Sequence, residues 1–203
     1  MVALALLSGS VTASGPASPE VKALFFGDSL IVGTGAVPQR PVQVRTAVDR
    51  LHWRAVVDAR GGTGYTTGGK SAKPYLYRLQ HDRFLRTQYD VIVLEGGTND
   101  AHHGSLARLH DDALRTIDFV RSRQKHARIV LVGAFSASTQ PVARYATVDQ
   151  VLAAVALERG LQYVSQLRYH DVTDKGFLAK DQFHPSDEGY AVMGKDLAAA
   201  LRG

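Results

Sequence analysis

The fold class of this chain is decided by residues 90–97, DVIVLEGG. Four apolar residues follow one another there without polar alternation, which is typical of a β-strand covered on both faces. A second run of this kind, RIVLV at 128–132, ends at Gly133. The intervening segment 106–121 has apolar residues at helical spacing, so the three segments predict a βαβ unit with parallel strands.

The same alternation extends to both ends of the chain. Further apolar runs predict strands at 22–26, 53–57 and 161–164. Helical spacing predicts helices at 42–51, 74–85, 148–158 and 187–201. Because parallel sheets carry helices on both faces, this order indicates a three-layer α/β/α sandwich around a five-stranded parallel sheet.

The composition fits one globular domain and excludes several kinds of site. The chain has 203 residues, of which 45% are hydrophobic and 21% charged, values typical of such domains. It has no cysteine, which excludes disulfides, zinc–thiolate and iron–sulfur sites and a cysteine nucleophile. The net charge of +5 is spread along the chain, and its densest basic group, at 121–128, lies at the end of a predicted helix, where cations suit the helix dipole. We therefore expect no nucleic-acid partner.

Residues 1–20 are interpreted as a leader that precedes a single domain at 21–203. They begin with the apolar run 2–7 and continue with small residues, a pattern similar to the second half of a secretory signal peptide. The apolar run is far shorter than the roughly 20 residues that span a bilayer. We therefore expect an exported protein with no stable membrane anchor, and the sequence carries no signal for its oligomeric state.

Polar residues gather where the predicted strands end. The first strand is followed by GDSL at 27–30 and the second by ARGGTGY at 59–65. The third strand is followed by GGTND at 96–100, and DQFHP at 181–185 precedes the last helix. Since ligands bind at the carboxyl ends of the strands in open parallel sheets, we expect these four segments to form one site.

These segments contain the groups that acyl transfer through a serine requires. Ser29 needs a base to take its proton, and His184 is the candidate base. Asp181 lies three residues before His184, so its carboxylate can reach the second ring nitrogen and fix the tautomer. We therefore predict Ser29, Asp181 and His184 as the catalytic residues.

The tetrahedral intermediate of acyl transfer carries an oxyanion that needs about two or three hydrogen-bond donors. The backbone N–H of Ser29 and the side-chain amide of Asn99 are two candidate donors. A glycine N–H after the second strand is a third, because no Cβ blocks the approach. Gly61, Gly62 and Gly64 all fit this description, and among them we select Gly64.

With these four segments the chain resembles the SGNH (GDSL) hydrolase family of esterases and lipases. The nucleophile, glycine, asparagine and histidine blocks of that family are matched in order by GDSL at 27–30, Gly64, Asn99 and His184. The family commonly has an asparagine before the oxyanion glycine, where this chain has Ala59. The resemblance implies a flavodoxin-like fold and a serine hydrolase that acts on a small-molecule ester and needs no cofactor or metal.

Four further residues are predicted to line the substrate site: Tyr65, Lys70, His102 and His103. Lys70 also completes the phosphate-loop pattern GYTTGGKS at 64–71, but that pattern needs a strand directly before it and a helix directly after it. The adjacent histidines have no acidic partner in the sequence, which makes them a poor metal site. We therefore expect neither nucleotide hydrolysis nor metal binding.

The predicted function is a serine esterase that hydrolyses carboxylic esters of short-chain acyl or acetyl groups, including those on sugars or lipids, through an acyl-enzyme. Two other functions use the same residues. An acyltransferase would pass the acyl group to a sugar or lipid hydroxyl instead of water. A non-catalytic carbohydrate- or lipid-binding module would keep the fold alone, although the joint presence of Ser29, Asn99, Asp181 and His184 favours an enzyme.

Overall fold

The computed structural model describes residues 20–69, 73–172 and 176–202. Within them, five parallel strands form one sheet in the order β2-β1-β3-β4-β5. The strands are β1 (Lys22–Gly27), β2 (Arg54–Ala59), β3 (Val91–Glu95), β4 (Arg128–Val132) and β5 (Gln162–Val164). The predicted parallel sheet is therefore confirmed, whereas residues 1–19 of the predicted leader, and Lys70, lie outside the described residues.

Helices cover both faces of this sheet, which gives the predicted three-layer architecture. The helices are α1 (Ser29–Val32), α2 (Val42–Leu51), α3 (Tyr75–His81), α4 (Thr98–His103), α5 (Leu106–Arg123), α6 (Val142–Glu158) and α7 (Asp187–Arg202). Two 3₁₀ helices lie at Phe84–Arg86 and Leu167–Val172. Helices α2 and α7 pack on one face, and α3, α5 and α6 pack on the other.

The central strand β3 explains why its sequence is continuously apolar. Ile92 and Leu94 pack against α3, α5 and α6, while Val91 and Val93 pack against α2 and α7. All four side chains are buried, so both faces of the strand lie inside the protein. Burying side chains of this size stabilises the fold by about 1.5–3 kcal/mol each.

The structure corrects several predicted element boundaries. Helices α1 and α4 were not predicted, because four and six residues are too few for helical periodicity to be visible. Helix α6 begins at Val142, six residues before the predicted start at Val148, directly after Pro141. Helix α3 ends at His81 instead of residue 85, and the 3₁₀ helix at Phe84–Arg86 completes that segment.

The parallel arrangement brings the ends of β1, β2 and β3 to the same edge of the sheet. β1 lies between β2 and β3 and pairs with both in register. The segments that follow these three strands are therefore neighbours, as the sequence predicted. Among the residues that the structure describes, none of the helices is both long and apolar enough to cross a membrane.

Candidate active site

Ser29 lies on a tight turn between β1 and α1. It is the first residue of α1, and its hydroxyl is held at the edge of the sheet. Asp28 caps this helix, since its Oδ1 accepts the N–H of Leu30 at 2.9 Å. Gly27 permits the turn, because a Cβ at that position would lie 2.7 Å from Ile31 Cγ1 and 2.9 Å from the Glu95 carbonyl oxygen.

A chain of hydrogen bonds connects Ser29 to His184 and Asp181. Ser29 Oγ lies 3.0 Å from His184 Nε2, and His184 Nδ1 lies 2.7 Å from Asp181 Oδ2. Partial burial acts to raise the pKa of Asp181, but hydrogen bonds from the His184 ring and from the N–H groups of His184 and Phe183 hold it below its ordinary value. The ionised carboxylate can therefore orient the imidazole and stabilise its protonated form.

The loop that carries His184 is fixed by local contacts. Asp181 Oδ1 accepts the N–H groups of Phe183 and His184 at 3.0 and 2.9 Å. Gly35 packs directly against this loop. Its φ of +100° favours glycine, and a Cβ there would lie 2.7 Å from the Pro185 carbonyl oxygen. The sequence does not indicate this role of Gly35, because its partner Pro185 is about 150 residues away along the chain.

The side-chain amide of Asn99 lies on the other side of Ser29 and is oriented by two acceptors. Asn99 Nδ2 donates to Asp28 Oδ2 at 3.0 Å and to the Thr63 carbonyl oxygen at 2.9 Å. Burial raises the pKa of Asp28 to about 7. The carboxyl group of Asp28 accepts hydrogen bonds from both the Leu30 N–H and the Asn99 amide. Asp28 thus connects the turn that carries Ser29 to helix α4, which carries Asn99.

The prediction that Gly64 offers an N–H to the oxyanion does not fit the geometry. The Gly64 N–H donates to the Thr67 carbonyl oxygen at 2.8 Å, and a Cβ on Gly64 would overlap the carboxylate of Asp100. Gly61 is better placed, since a Cβ there would lie 3.7 Å from Ser29 Cβ. Neither Gly61 nor Gly62 donates its N–H to a partner within the described residues.

Two buried charged residues hold the glycine-rich loop, and only one lies in a predicted segment. Asp100 accepts the N–H groups of Tyr65 and Thr66 at 3.0 and 2.7 Å. Arg78, on α3, was not singled out in the sequence. Its guanidinium contacts this loop through Nη1, which donates to Thr63 Oγ1 at 2.9 Å.

Arg78 connects the ends of β1 and β2 to that loop. Its Nη1 also donates to the Gly27 carbonyl oxygen at 2.8 Å, and its Nη2 lies 2.7 Å from Asp58 Oδ1. The guanidinium carbon lies 4.3 Å from the centre of the Phe26 ring, and Arg78 is only 2% exposed. Burial raises the pKa of Asp58, although Arg78 acts in the opposite direction. This buried ion pair fixes the distance between the nucleophile turn and the glycine-rich loop.

The groups around Ser29 line an open cleft of about 410 Å³. Its lining residues are Ser29, Thr34, Gly61, Gly62, Asn99, His102, His103, Phe183 and His184. The predicted lining residues His102 and His103 lie in this cleft. Tyr65 does not, because it is 1% exposed and packs its ring 5.0 Å from that of Tyr75. The described residues contain no cluster of three or more side chains arranged to hold a metal ion.

The comparison with family models decides the family. The model of the GDSL-like lipase/acylhydrolase family matches residues 25–192 of this chain. The chain belongs to this family. No curated protein sequence matches this chain.

Solved structures with the same fold include several esterases. A family 2 carbohydrate esterase with a carbohydrate-binding domain, from Corynascus thermopiles (Myceliophthora fergusii), has a TM-score of 0.72 at 19% identity, over 95% of this chain and 69% of that chain. TesA has a TM-score of 0.72 at 20% identity, over 89% and 98%. A lipolytic protein of the G-D-S-L family from Desulfitobacterium hafniense has 0.71 at 16%, over 90% and 100%. At these identities the structural likeness establishes only the α/β fold of this chain.

Proposed function

We propose that the protein is a serine esterase that hydrolyses esters of short acyl groups. The observation that carries this proposal is the continuous hydrogen-bond chain from Ser29 Oγ through the His184 ring to Asp181. It lies at the carboxyl edge of a parallel sheet, where such folds bind their ligands.

Each step of the reaction assigns a proton to one of these groups. His184 Nε2 takes the hydroxyl proton as Ser29 Oγ attacks the ester carbonyl, and Asp181 stabilises the resulting imidazolium. Collapse of the tetrahedral intermediate breaks the bond to the alcohol oxygen, which receives the proton from His184. A water molecule then attacks the acyl-serine with His184 as base, and the acid is released with Ser29 restored.

The developing oxyanion takes its hydrogen bonds from the Asn99 side of the cleft. We assign the donors to the N–H groups of Ser29 and Gly61 and to the Asn99 amide. The Ser29 N–H is at the start of α1 and has no helical carbonyl to bond. An oxyanion competes with the Thr63 carbonyl for one Asn99 proton, and a charged acceptor forms the stronger bond. Such a donor contributes about 10²–10³ in turnover.

The lining of the cleft favours a small acyl group. Phe183 is the one apolar side chain among the described lining residues, and Gly61 and Gly62 present only backbone. Each buried CH₂ of a longer acyl chain would contribute about 0.8 kcal/mol only if apolar surface were there to cover it. The carbohydrate esterases among the structural neighbours support acetylated sugars as substrates.

The test is hydrolysis of p-nitrophenyl acetate by the wild type and by Ser29→Ala. The exchange should reduce kcat by at least about 10³-fold without unfolding the protein. Ser136→Ala is a matched control, because Ser136 Oγ also lies 3.1 Å from a histidine nitrogen, that of His170, but Ser136 does not line the cleft. Retained turnover in folded Ser29→Ala contradicts the proposal. Product analysis with an added alcohol distinguishes hydrolysis from acyl transfer.

A further inference from the structure

Three aromatic rings form one wall of the cleft beside Ser29. The rings of His102 and Phe183 lie 5.6 Å apart between centroids, and those of His102 and His103 lie 4.2 Å apart. Phe183 also contacts the ring of His184 edge-on at 4.9 Å. We call His102, His103 and Phe183 the aromatic wall. It continues without a gap from α4 to the loop that carries the candidate base.

The wall is placed by the same two elements that place the reacting groups. His102 and His103 follow Asn99 by three and four residues on α4, so the three side chains share one face of that helix. Phe183 is the residue before His184. A molecule whose ester carbon lies between Ser29 and Asn99 can therefore extend along this wall.

The wall contributes little to the packing of the fold. His102 and His103 are exposed, and Phe183 is only half-buried. No group among the described residues forms a hydrogen bond with a ring nitrogen of either histidine. Exposed aromatic rings with unused nitrogens beside a nucleophile offer both stacking surface and hydrogen bonds to a ligand.

The ionisation of the wall suits a partner with hydroxyl groups. Partial burial and the neighbouring charges of His103 and Arg144 lower the pKa of His102. The ring is therefore neutral at neutral pH, with one nitrogen that donates and one that accepts. A hydroxyl group also donates and accepts, so it can satisfy either ring nitrogen.

The rest of the lining argues against charged and long-chain alcohols. Asp, Glu, Lys and Arg are absent from the described residues that line this cleft. A phosphate-bearing or cationic alcohol would lose part of its hydration there without a charged side chain in the lining to contact, since Arg144 is not a lining residue and donates to the Gly104 carbonyl oxygen. A long alkyl alcohol would meet polar groups, since Phe183 alone offers an apolar side chain.

We propose that the aromatic wall binds the alcohol part of the ester, and that this alcohol is a neutral ring carrying several hydroxyl groups, such as a pyranoside. This inference rests on the proposed esterase function and assigns specificity to His102 and Phe183. The C–H face of the sugar packs on the Phe183 ring, and its hydroxyls bond the imidazole of His102. The acetyl group lies against Gly61 and Gly62 on the opposite side.

The test compares kcat/KM for two acetyl esters, an acetylated methyl glucopyranoside and ethyl acetate, which has neither ring nor hydroxyl groups. The ratio of the two values should exceed 10 in the wild type and fall about 10-fold in His102→Ala and in Phe183→Leu, since one hydrogen bond or ring contact contributes about 1–1.5 kcal/mol. Phe183→Leu keeps apolar volume next to His184. His126→Ala, an exposed histidine before β4, should leave the ratio unchanged.

The outcomes separate the two proposals. A wild-type ratio near 1, or ratios in both wall variants equal to that of the wild type, overturns the inference while ethyl acetate turnover still supports the esterase. Absence of turnover on every ester overturns the esterase function itself. A loss of the ratio in the wall variants alone supports the sugar-binding wall.

Discussion

The two sides of the cleft are built in opposite ways. On the histidine side, Asp181 is 45% exposed, and its hydrogen bonds reach no further than three residues along the chain. On the donor side, formed by Asn99 and the loop at 60–69, the supporting residues Asp28 and Arg78 are 0% and 2% exposed. Their partners come from separate strands and helices.

This difference separates chemistry from stability. An exposed pair on a local turn contributes little to the free energy of unfolding, because solvent screens it. A buried charge contributes strongly, since removing its partner leaves it desolvated and unpaired. Variants on the histidine side should therefore affect turnover alone. Variants of Asp28 and Arg78, the buried residues that support the donor side, should affect turnover and stability together.

The largest expected effect is on turnover in Asp181→Asn. The amide keeps the loop bonds to the N–H groups of Phe183 and His184 but favours the wrong imidazole tautomer, so kcat should fall by up to about 10⁴-fold. The free energy of unfolding in urea should change by less than about 1 kcal/mol. Asp111→Asn is the control, because Asp111 Oδ1 also lies 3.2 Å from a histidine, His110. If the free energy of unfolding of Asp181→Asn fell by as much as the loss in kcat corresponds to, the histidine side would not differ from the donor side in its contribution to stability.

The next effect is on stability in Arg78→Met. Loss of the guanidinium leaves the buried carboxylate of Asp58 without its cation, which should lower the free energy of unfolding by about 3–5 kcal/mol. Turnover should also fall, because Thr63 and the Gly27 carbonyl lose a common donor. The double variant with Asp58→Leu should regain part of the stability. If urea unfolding of Arg78→Met matches the wild type, the ion pair does not hold the donor side.

The smallest effect is a pH dependence at Asp28. Burial raises its pKa from 3.8 to about 7, so the folded chain holds a proton between these pH values that the unfolded chain has lost. Wild-type stability therefore falls as pH rises through this window, and the effect is complete above pH 7. Asp28→Asn removes this titration and should be more stable at pH 8, by up to about 4 kcal/mol, with little difference at pH 4.

Activity distinguishes Asp28 from a second buried carboxyl. At pH 8, above the pKa of Asp28, Asp28→Asn should lower kcat by about 10-fold or more, because the Asn99 amide loses its anionic acceptor. Glu95→Gln is the matched control, since burial also raises the pKa of Glu95 to about 8, but its carboxylate bonds Gln43 and not Asn99. Equal loss of turnover in both variants would contradict a specific role of Asp28 on the donor side.

More of the geometry on the histidine side than on the donor side follows from the sequence. Asp181 and His184 lie in one short motif whose hydrogen bonds are local. The contact between Ser29 and His184, which are 155 residues apart, follows from the meeting of the strand ends at one sheet edge. The placement of Asn99 also follows, because it directly succeeds an apolar strand. The parallel direction of the strands needs only the alternation of apolar runs and helices, whereas their order β2-β1-β3-β4-β5 does not follow from that alternation.

The remaining features depend on contacts between distant segments. The selection of Gly64 as the oxyanion donor does not fit, because its N–H donates to the Thr67 carbonyl oxygen. The carboxylate of Asp100 also occupies the space where a Cβ of Gly64 would lie. The glycine-rich motif shows neither contact. In the sequence Arg78 cannot be told from an exposed helix arginine. Its acceptors lie in three other segments, at Gly27, Asp58 and Thr63, so only the folded structure shows that it is buried and paired. Tyr65 was predicted to line the cleft because it follows the glycine-rich motif, but its ring packs against that of Tyr75 in the core.

The most direct test of the central claim is covalent labelling by a fluorophosphonate, followed by intact mass and peptide mapping. Only a serine activated by a base reacts rapidly with this probe. We predict a single adduct on Ser29 in the wild type and labelling at least about 100-fold slower in folded His184→Ala. An unlabelled folded wild type, an adduct on another serine such as Ser136, or equal labelling of both proteins would contradict it.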